Sequence, residues 1–266
     1  MGEEKIMIPL LLTATVNPNG MQGASFSVDE RAQMYVEAVR FYLDKGCKVV
    51  FAENSGCIDV VRHEVGSDDI EWLDVSGTEY VQHRGKGYNE TLLIRKATLQ
   101  SQLIAQSGCF FKVTGRLKVL NICALLEECQ RRNRVSSLQF LTDCKDHHLY
   151  DWLHMPINGH AGECRYWFAS THFFLTRMFP LLDRLDDYSE PPFLAEDAML
   201  AVCRSSRGEA GCHDRFRTQA RISGKGGHDL GRGLSFFYST DNDSFALRLK
   251  CGIRQVFRWI LPSFRV

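Results

Sequence analysis

The sequence predicts an α/β protein whose mainly parallel sheet is covered by helices on both faces. Over the first half of the chain, short apolar runs that suit buried strands alternate with stretches whose apolar residues recur at helical spacing. That alternation is typical of a parallel sheet built from strand–helix–strand units. The composition agrees, because 44% hydrophobic and 24% charged residues in a chain of 266 supply enough apolar mass for one large core.

Local patterns place the elements of the first half in order. An apolar run over residues 5–16 predicts the first strand. Ser27, with Glu30 three residues later, has the form of a capping box that begins a helix, and Gly46 ends that helix. The remaining elements of this half are predicted as strands at 48–52, 70–75, 109–113 and 138–141 and a helix at 89–105.

The second half is less regular. A strand at 165–170 leads into a helix that runs through Phe179, and another helix begins near Phe193. The stretch 207–232 is rich in glycine and histidine and is predicted to be a loop. Since neither an internal repeat nor a linker is found, we expect a single domain over 1–244, followed by a basic amphipathic segment at 245–266.

Segment 245–266 has a charge pattern of its own. The whole chain carries 32 basic and 32 acidic residues, which argues against a general nucleic-acid binder. The segment holds five basic residues and no acidic one, so residues 1–244 carry a net charge of −5. Its apolar residues, Trp259 among them, fall near helical spacing between the bases. This pattern favours a helix that lies on an anionic membrane surface; the alternative is a helix whose apolar face packs on the domain.

Three further observations bear on where the protein works. No apolar run approaches the ~20 residues needed to span a bilayer. The first residues lack the charged-then-apolar order of a secretion signal. No pair among the ten cysteines is spaced as C-x-x-C, which favours reduced, buried cysteine. We therefore expect a cytoplasmic protein, peripheral on the inner face of the cytoplasmic membrane.

Polar and glycine-rich segments lie at the predicted carboxyl ends of the strands, where open α/β sheets bind ligands. Glycine lets the backbone approach an anion closely, a helix N-terminus offers free N–H groups, and a lysine or arginine adds positive charge. Each segment alone is also compatible with a solvated turn. The residues are Thr13 and Ala14 after the first strand, Glu53 after the second, Lys86 and Gly87 before the long helix, and Thr114, Gly115 and Arg116 after the fourth strand.

Two more candidates come from the second half. Glu196 and Asp197 lie in the first turn of a predicted helix, where acidic residues favour the helix dipole and need no other explanation. The functional alternative makes one of them a general base that faces the cleft. His228 lies in a glycine-rich loop and could bind phosphate, substrate or metal, or simply be exposed.

Taken in order, these segments resemble nucleotide-sugar-dependent glycosyltransferases of the GT-A type, which have a Rossmann-like sheet. More narrowly, the chain resembles bacterial transferases that build surface polysaccharide or lipopolysaccharide. The resemblance spans roughly residues 6–230. The motifs that carry it are AENS at 52–55, GKGYNE at 85–90, FKVTGR at 111–116 and AED at 195–197.

The resemblance implies a role for each segment. Thr13, Ala14 and Glu53 would hold the nucleotide, and Lys86 would cover its phosphates. Asp197 would be the base of an inverting reaction, with Glu196 as the alternate. The implied partners are a nucleotide-sugar donor and a saccharide or lipid-linked acceptor, with no nucleic acid.

One departure from that family concerns metal. Most GT-A enzymes carry an Asp-x-Asp motif after the fourth strand that binds Mg²⁺ or Mn²⁺, whereas this chain has Thr-Gly-Arg there. We expect Arg116 and Lys118 to neutralise the leaving phosphate without metal, because cationic side chains can replace the ion in that role. The alternative is a metal held by other groups, such as Asp143 and His228.

Two other function classes remain open from the sequence. A sugar nucleotidyltransferase also uses a loop rich in glycine and lysine, but it would place that loop directly after the first strand, where residues 17–22 contain no lysine or arginine. A membrane-peripheral scaffold with a transferase fold but no activity is compatible with the missing Asp-x-Asp motif.

Overall fold

The computed structural model describes residues 7–18, 26–77, 81–154, 158–225, 237–239 and 245–261. Its strands are β1 (Leu10–Ala14), β2 (Val49–Glu53), β3 (Ile70–Asp74), β4 (Cys109–Thr114), β5 (Lys118–Val119), β6 (Phe140–Leu141), β7 (Cys144–Asp146), β8 (His160–Gly162), β9 (Tyr166–Ser170), β10 (Cys212–His213), β11 (Ile222–Lys225) and β12 (Phe237–Ser239). Its α-helices are α1 (Val28–Asp44), α2 (Ile58–Val65), α3 (Gly85–Gln100), α4 (Gln102–Ser107), α5 (Ile122–Ser136), α6 (Leu149–Trp152), α7 (Thr171–Phe173), α8 (Phe179–Leu182), α9 (Ala195–Ser205) and α10 (Phe245–Ile260). A 3-10 turn at Gln82–Arg84 precedes α3, and a π-helical turn at Phe174–Met178 joins α7 to α8.

The central sheet has seven strands in the order β10-β6-β9-β4-β1-β2-β3. Strands β1 to β4 run parallel, whereas β9 runs antiparallel to both β4 and β6. The chain winds outward from β1 through β2 to β3 and then returns to place β4 on the other side of β1. The order of the strands therefore reverses between β1 and β4, and the carboxyl ends of these two strands border the crevice in which such sheets bind ligands.

The core lies on both faces of this sheet. All five residues of β1 are buried, as expected for a central parallel strand that is covered on both sides. Leu10 and Leu12 of β1 belong to one hydrophobic cluster, and Leu11 belongs to the other. The first cluster includes residues of α1, and the second includes residues of α3 and α9. The predicted α/β fold, with a mainly parallel sheet and helices on both faces, is confirmed.

Most predicted elements are present, with some corrections. The capping box of Ser27 and Glu30 is confirmed at the start of α1. The helix predicted at 89–105 begins earlier, at Gly85, and is broken at Ser101, whose extended backbone ends α3 while its hydroxyl caps α4. Helices α2 and α5 were not predicted. The stretch 207–232 is not all loop, because it contains β10 and β11; residues 226–232 of it lie outside the described part of the chain.

Helix α10 packs on the rest of the protein through its polar side. Arg258 and Cys251 are buried, and the Gln255 amide accepts a hydrogen bond from Gln219 N (2.8 Å). The opposite side of α10 exposes apolar residues to solvent: Phe245, Leu249, Ile253, Val256, Phe257 and Ile260. The amphipathic helix is therefore present, and the apolar residues named here are exposed rather than packed on the described part of the domain. No helix in the described ranges combines the length and apolar character that crossing a bilayer requires.

Candidate functional site

The candidate site lies where β1 and β4 end side by side. Gly115 N donates a hydrogen bond to Thr13 O (3.0 Å), which holds the first residues after β4 against the end of β1. A Cβ atom at Gly115 would lie only 2.6 Å from Thr13 O, so no other residue fits without moving the backbone. Glycine at this position therefore allows the ends of β4 and β1 to approach closely, directly before Arg116 in the sequence.

The side chain of Arg116 lies at this crevice, and part of its guanidinium has no hydrogen-bond partner in the described part of the chain. Its Nε and Nη1 atoms are buried and have no hydrogen-bond partner among the described residues. Buried hydrogen-bond donors in native proteins almost always have an acceptor, so two donors of one charged side chain that lack one require an explanation. Phosphate and diphosphate oxygens are strong acceptors for guanidinium N–H groups, so an anion of this class would pair these donors.

Two more cations lie close to Arg116. The pKa of Lys86 is lowered, first by burial and then by the positive charges of Arg116 and Arg31, against the opposing effect of Asp187. The pKa of Arg31 is also lowered, mainly by burial, and the charge of Arg116 contributes to this shift. Three positive charges thus lie close enough together for Arg116 to lower the pKa of both Lys86 and Arg31, and this repulsion would be relieved by a negative charge among them.

The sequence analysis missed Arg31. It lies on α1 and is 5% exposed, and its Nε atom donates to Thr15 O (2.9 Å) and Val16 O (3.1 Å) just after β1. These bonds fix the guanidinium beside the loop that follows the first strand. The sequence held one signal: Arg31 is a charged residue directly before Ala32, which belongs to the apolar stripe of the helix. In a surface helix a charged residue is expected on the exposed face instead.

Lys86 enters the site differently from the prediction. The N-terminus of α3 is not open to an anion, because Lys86 N donates to the Asp187 carboxylate (2.9 Å). Gly85 has φ = 85°, and a Cβ atom there would lie 2.1 Å from Asp187 Oδ2. The chain's own carboxylate thus occupies the place that the sequence suggested for a phosphate. What Lys86 brings to the cluster is the charge of its side chain.

Gly87 packs against the start of α9. A Cβ atom there would meet Ala195 Cβ and Leu185 Cδ1, each at 3.4 Å. This is tight packing between α3 and the helix that carries Glu196. Its prediction as a nucleotide contact stays a prediction.

Glu53 is fully buried and is used inside the protein. Its carboxylate accepts hydrogen bonds from Val16 N (3.0 Å), Ser55 N (2.9 Å) and Cys57 N (3.0 Å) and from the Ser55 hydroxyl. These bonds tie the loop after β1 to the loop after β2 and so shape the crevice. Ala14 is also buried. Direct contact of Glu53 or Ala14 with a nucleotide stays a prediction.

An ion pair between a buried lysine and a partly exposed glutamate lies near the cations. Lys112 is 1% exposed, and its Nζ atom lies 2.8 Å from Glu90 Oε1. The same nitrogen donates to Thr114 Oγ1 (3.0 Å) and Cys164 O (2.8 Å), and Thr13 Oγ1 donates to Glu90 (2.7 Å). Burial alone would raise the pKa of Glu90, but Lys112, Thr13 and the charge of Arg116 hold it below its usual value. The sequence analysis did not single out Lys112 or Glu90 as functional, because neither residue shows its partner in the sequence.

The structure separates the two acids of α9. Asp197 accepts a hydrogen bond from Leu194 N (3.2 Å), so it helps to cap its own helix. Glu196 is exposed and lines a cavity of about 570 Å³ together with Cys164, Arg165 and other residues. Burial raises the pKa of the Cys164 thiol, and the nearby carboxylate of Glu196 adds to that effect. Of the two acids, Glu196 is therefore the one near Cys164, whose carbonyl accepts a hydrogen bond from Lys112.

The cavity beside Glu196 has cationic walls. Asp143 and Arg258 are paired with each other there, as are Glu163 and Arg165. Four further cationic residues line the cavity: Lys145, Arg215, Lys250 and Arg254. Burial lowers the pKa of Lys145, and the charges of Arg254 and Lys250 lower it further. This cavity joins the first turn of α9 to one flank of α10.

Lys118 and Asp143 do not join the anion cluster. Lys118 Nζ lies 3.4 Å from Glu37 Oε2, at the start of β5. Both oxygens of Asp143 have partners, since Oδ1 lies 2.7 Å from Arg258 Nη1 and Oδ2 accepts a hydrogen bond from the Tyr166 hydroxyl (2.6 Å). His228 lies outside the described residues. The expectation that Lys118 assists the phosphate, and the alternative that Asp143 binds a metal, both receive no support from this arrangement.

The crevice does not fit the Mg²⁺ or Mn²⁺ ion of the GT-A family. Such an ion needs several oxygen ligands, mainly carboxylates. Among the described residues, three cations border the end of β4, and the carboxylate of Glu90 is already paired with Lys112. In the part of the chain that the structure describes, the charges at this end of β4 that have no carboxylate contact of their own are those of arginine, not the carboxylates that such an ion requires.

Comparisons with known proteins give distant structural neighbours but no sequence match. No protein-family model matches the chain, and no curated protein matches it. Among solved structures, the chain is similar to the apo structure of WbbM, a bifunctional glycosyltransferase, with 12% sequence identity and a TM-score of 0.41. The match covers 76% of this chain and 38% of that chain. This distant structural neighbour is a glycosyltransferase, and the comparison says nothing about the substrate or the pathway of the present chain.

Proposed function

We propose that the protein is a glycosyltransferase that takes a sugar from a nucleotide-sugar donor. The observation that carries this proposal is the pair of buried, unpartnered Arg116 donors beside Lys86 and Arg31, at the point where the strand order reverses. A diphosphate bound there would pair those donors and neutralise the three cations. The resemblance of the motifs to GT-A transferases supplies the class of reaction.

The proposed reaction is a single displacement. The oxygen of an acceptor hydroxyl forms a bond to the anomeric carbon of the donor sugar as its proton passes to a carboxylate. The bond between that carbon and the phosphate oxygen breaks, and its electron pair leaves with the nucleoside phosphate. Arg116 and Lys86 stabilise the negative charge that develops on the leaving phosphate.

Glu196 is the proposed base. It lines the cavity that extends from the start of β9 toward α10, whereas Asp197 is used by its own helix. An acceptor hydroxyl held in that cavity would lie on the side of Glu196, with the donor phosphates on the side of Arg116. Since Lys145, Lys250 and Arg254 line the same cavity, an acceptor that carries negative charge fits it best.

Helix α10 is the proposed membrane contact. Its polar side is bonded to the domain and its apolar stripe faces outward, while Arg248, Lys250 and Arg254 are exposed. This is the arrangement of an interfacial helix that buries apolar residues among lipid chains and keeps bases near anionic head groups, each base contributing ~1 kcal/mol. An anionic membrane on the cytoplasmic side is the proposed surface, and a lipid-linked saccharide is the proposed acceptor.

Thermal unfolding with a panel of nucleoside phosphates and nucleotide sugars tests the donor site. We expect certain nucleotide sugars and nucleoside diphosphates to raise the melting temperature of the wild-type protein, because a ligand that binds only the folded state stabilises it. Arg116→Gln should bind those ligands about ten- to hundredfold more weakly, since a hydrogen bond to a charged group contributes ~1.5–3 kcal/mol. The ligand-free variant should be no less stable than the wild type, because Nε and Nη1 have no protein partner to lose.

The matched control is Arg40→Gln, an exposed arginine paired with Glu64 far from the crevice. It should leave nucleotide binding unchanged. Stabilisation by nucleoside triphosphates and sugar phosphates instead of nucleotide sugars would indicate a sugar nucleotidyltransferase. Stabilisation by none of them would indicate a scaffold, and either result would overturn the proposed function.

A further inference from the structure

The loop between β7 and β8 brings two histidines and an aspartate together on the surface. His148 and Asp151 are three residues apart, where α6 begins, and His160 is the first residue of β8. One ligand atom from each of the three lies within 4.8 Å of the others. These residues are distinct from Arg116, Lys86 and Glu196, and the proposed transfer reaction does not use them.

We propose that His148, Asp151 and His160 bind a divalent transition metal ion of the type of Zn²⁺. Asp151 Oδ2 lies 3.2 Å from His148 Nδ1 and 3.4 Å from His160 Nε2. Metal–ligand bonds of ~2.0–2.1 Å in a tetrahedral zinc site place neighbouring ligand atoms ~3.3 Å apart. The carboxylate oxygen thus already stands at the required separation from both imidazole nitrogens.

The second nitrogen of His160 has the partner that a metal-binding histidine needs. Its Nδ1 atom lies 3.1 Å from Asp146 Oδ1. A carboxylate on one ring nitrogen fixes the tautomer, so the other nitrogen presents its lone pair to the metal. Asp146 is itself held by Arg204 (2.7 Å) and Arg207 (2.8 Å), which keep its carboxylate in place.

The ligand set selects the class of ion. Two imidazoles and one carboxylate suit Zn²⁺ and its neighbours among the transition metals, whereas Mg²⁺ and Ca²⁺ prefer oxygen ligands alone. His148 and Asp151 are exposed and His160 is partly buried, so water can reach a fourth position. A reversible, solvent-accessible site follows from that exposure.

The ion would join α6 to β8 and so strengthen the support of α9. Gly162 at the end of β8 packs directly on α9, because a Cβ atom there would lie 2.4 Å from Met199 Cβ. Arg204 near the end of α9 binds Asp146, the partner of His160. The ion would therefore stabilise the hairpin beneath the helix whose first turn carries Glu196.

Titration of the chelator-treated full chain with Zn²⁺ by calorimetry, and with Co²⁺ by visible absorption, tests the site. We expect one equivalent to bind, with cobalt d–d bands and no thiolate-to-cobalt charge transfer, because the proposed ligands include no cysteine. His160→Gln should abolish this binding. Asp146→Asn should weaken it about 10- to 100-fold, the usual effect of losing such a supporting carboxylate.

His172→Gln is the matched control, since His172 is exposed on α7, outside the cluster. It should bind both ions as the wild type does. The same short contacts could be made without metal by a protonated His160 held between two carboxylates. The absence of binding to the wild-type chain, binding accompanied by thiolate charge transfer, or unchanged binding by a folded His160→Gln variant would overturn the proposal.

Discussion

Arg258 of α10 and Asp143 after β6 form a bidentate ion pair, with Nη1–Oδ1 and Nη2–Oδ2 distances of 2.7 and 3.0 Å. The arginine is 8% exposed and also donates to Phe216 O (2.6 Å), while the aspartate accepts from the Tyr166 hydroxyl. This pair connects the polar side of α10 to the end of the central sheet. It explains why a helix with a strong apolar stripe docks with that stripe outward.

Arg258→Met should strongly destabilise the protein, because it leaves the carboxylate of Asp143 buried without its cation. Breaking a buried ion pair in this way costs ~3–5 kcal/mol. Arg254→Met, on the same helix but exposed, should change the free energy of unfolding by no more than ~1 kcal/mol. Urea unfolding of both variants measures the difference. Equal stabilities would show that the pair does not hold α10.

Glu196→Gln should reduce sugar transfer by ~10²-fold or more, since it removes the proposed base. Asp197→Asn should keep most of the activity and instead lose ~0.3–1 kcal/mol of stability, because it removes a negative charge from the N-terminal turn of α9. Release of nucleoside phosphate from the nucleotide sugar that binds best, in the presence of an acceptor, measures the first effect. Loss of activity in Asp197→Asn alone would assign the base to Asp197.

Ile253→Glu should weaken the binding of the protein to anionic vesicles, because it places a charge in the middle of the exposed apolar stripe of α10. The matched control is Val135→Glu, which changes an exposed apolar residue of α5 in the same way. Co-sedimentation with vesicles that contain phosphatidylserine measures both variants. Binding should also decrease as salt concentration rises. Equal binding of the two variants would reject the membrane contact.

Glu90→Gln should lower the stability of the protein at neutral pH, because it leaves Lys112 buried without its counter-ion. The pKa of Glu90 is held below its usual value, so its contribution to stability is present above about pH 4.5 and is lost as the pH falls through the lowered pKa. The difference between wild type and variant, measured by urea unfolding, should therefore shrink below that pH. Glu37→Gln, which removes the exposed partner of Lys118, should have a small effect at every pH.

The sequence could predict those parts of the candidate site whose pattern lies within a few consecutive residues. Thr114, Gly115 and Arg116 were found because a strand end followed by a glycine and an arginine is a local pattern. Lys112 was not, because a lysine within an apolar strand shows no partner until the fold brings Glu90 to it. Asp187 fills the N-terminus of α3 from 101 positions away along the chain, which no local pattern could reveal.

The same limit applies to the fold. The order of strands and helices followed from periodicity, since each element is defined by its own residues. The periodicity of α10 identified its apolar stripe but could not show which side would dock, because that choice depends on Asp143 and Gln219 in other segments. The short strands β10 and β11 were missed for a related reason: each pairs with a segment distant in sequence.

The reversal of β9 brings the end of one strand and the start of its neighbour to the same rim of the sheet. Because β9 runs against β4, it begins where β4 ends, and Arg165 O at its start accepts a hydrogen bond from Thr114 N (2.8 Å). A parallel strand of the same five residues would have begun ~16 Å away, at the opposite rim. Residues that leave one strand and residues that enter its neighbour therefore meet in one small volume, so that side chains from two separate segments of the chain face the same crevice.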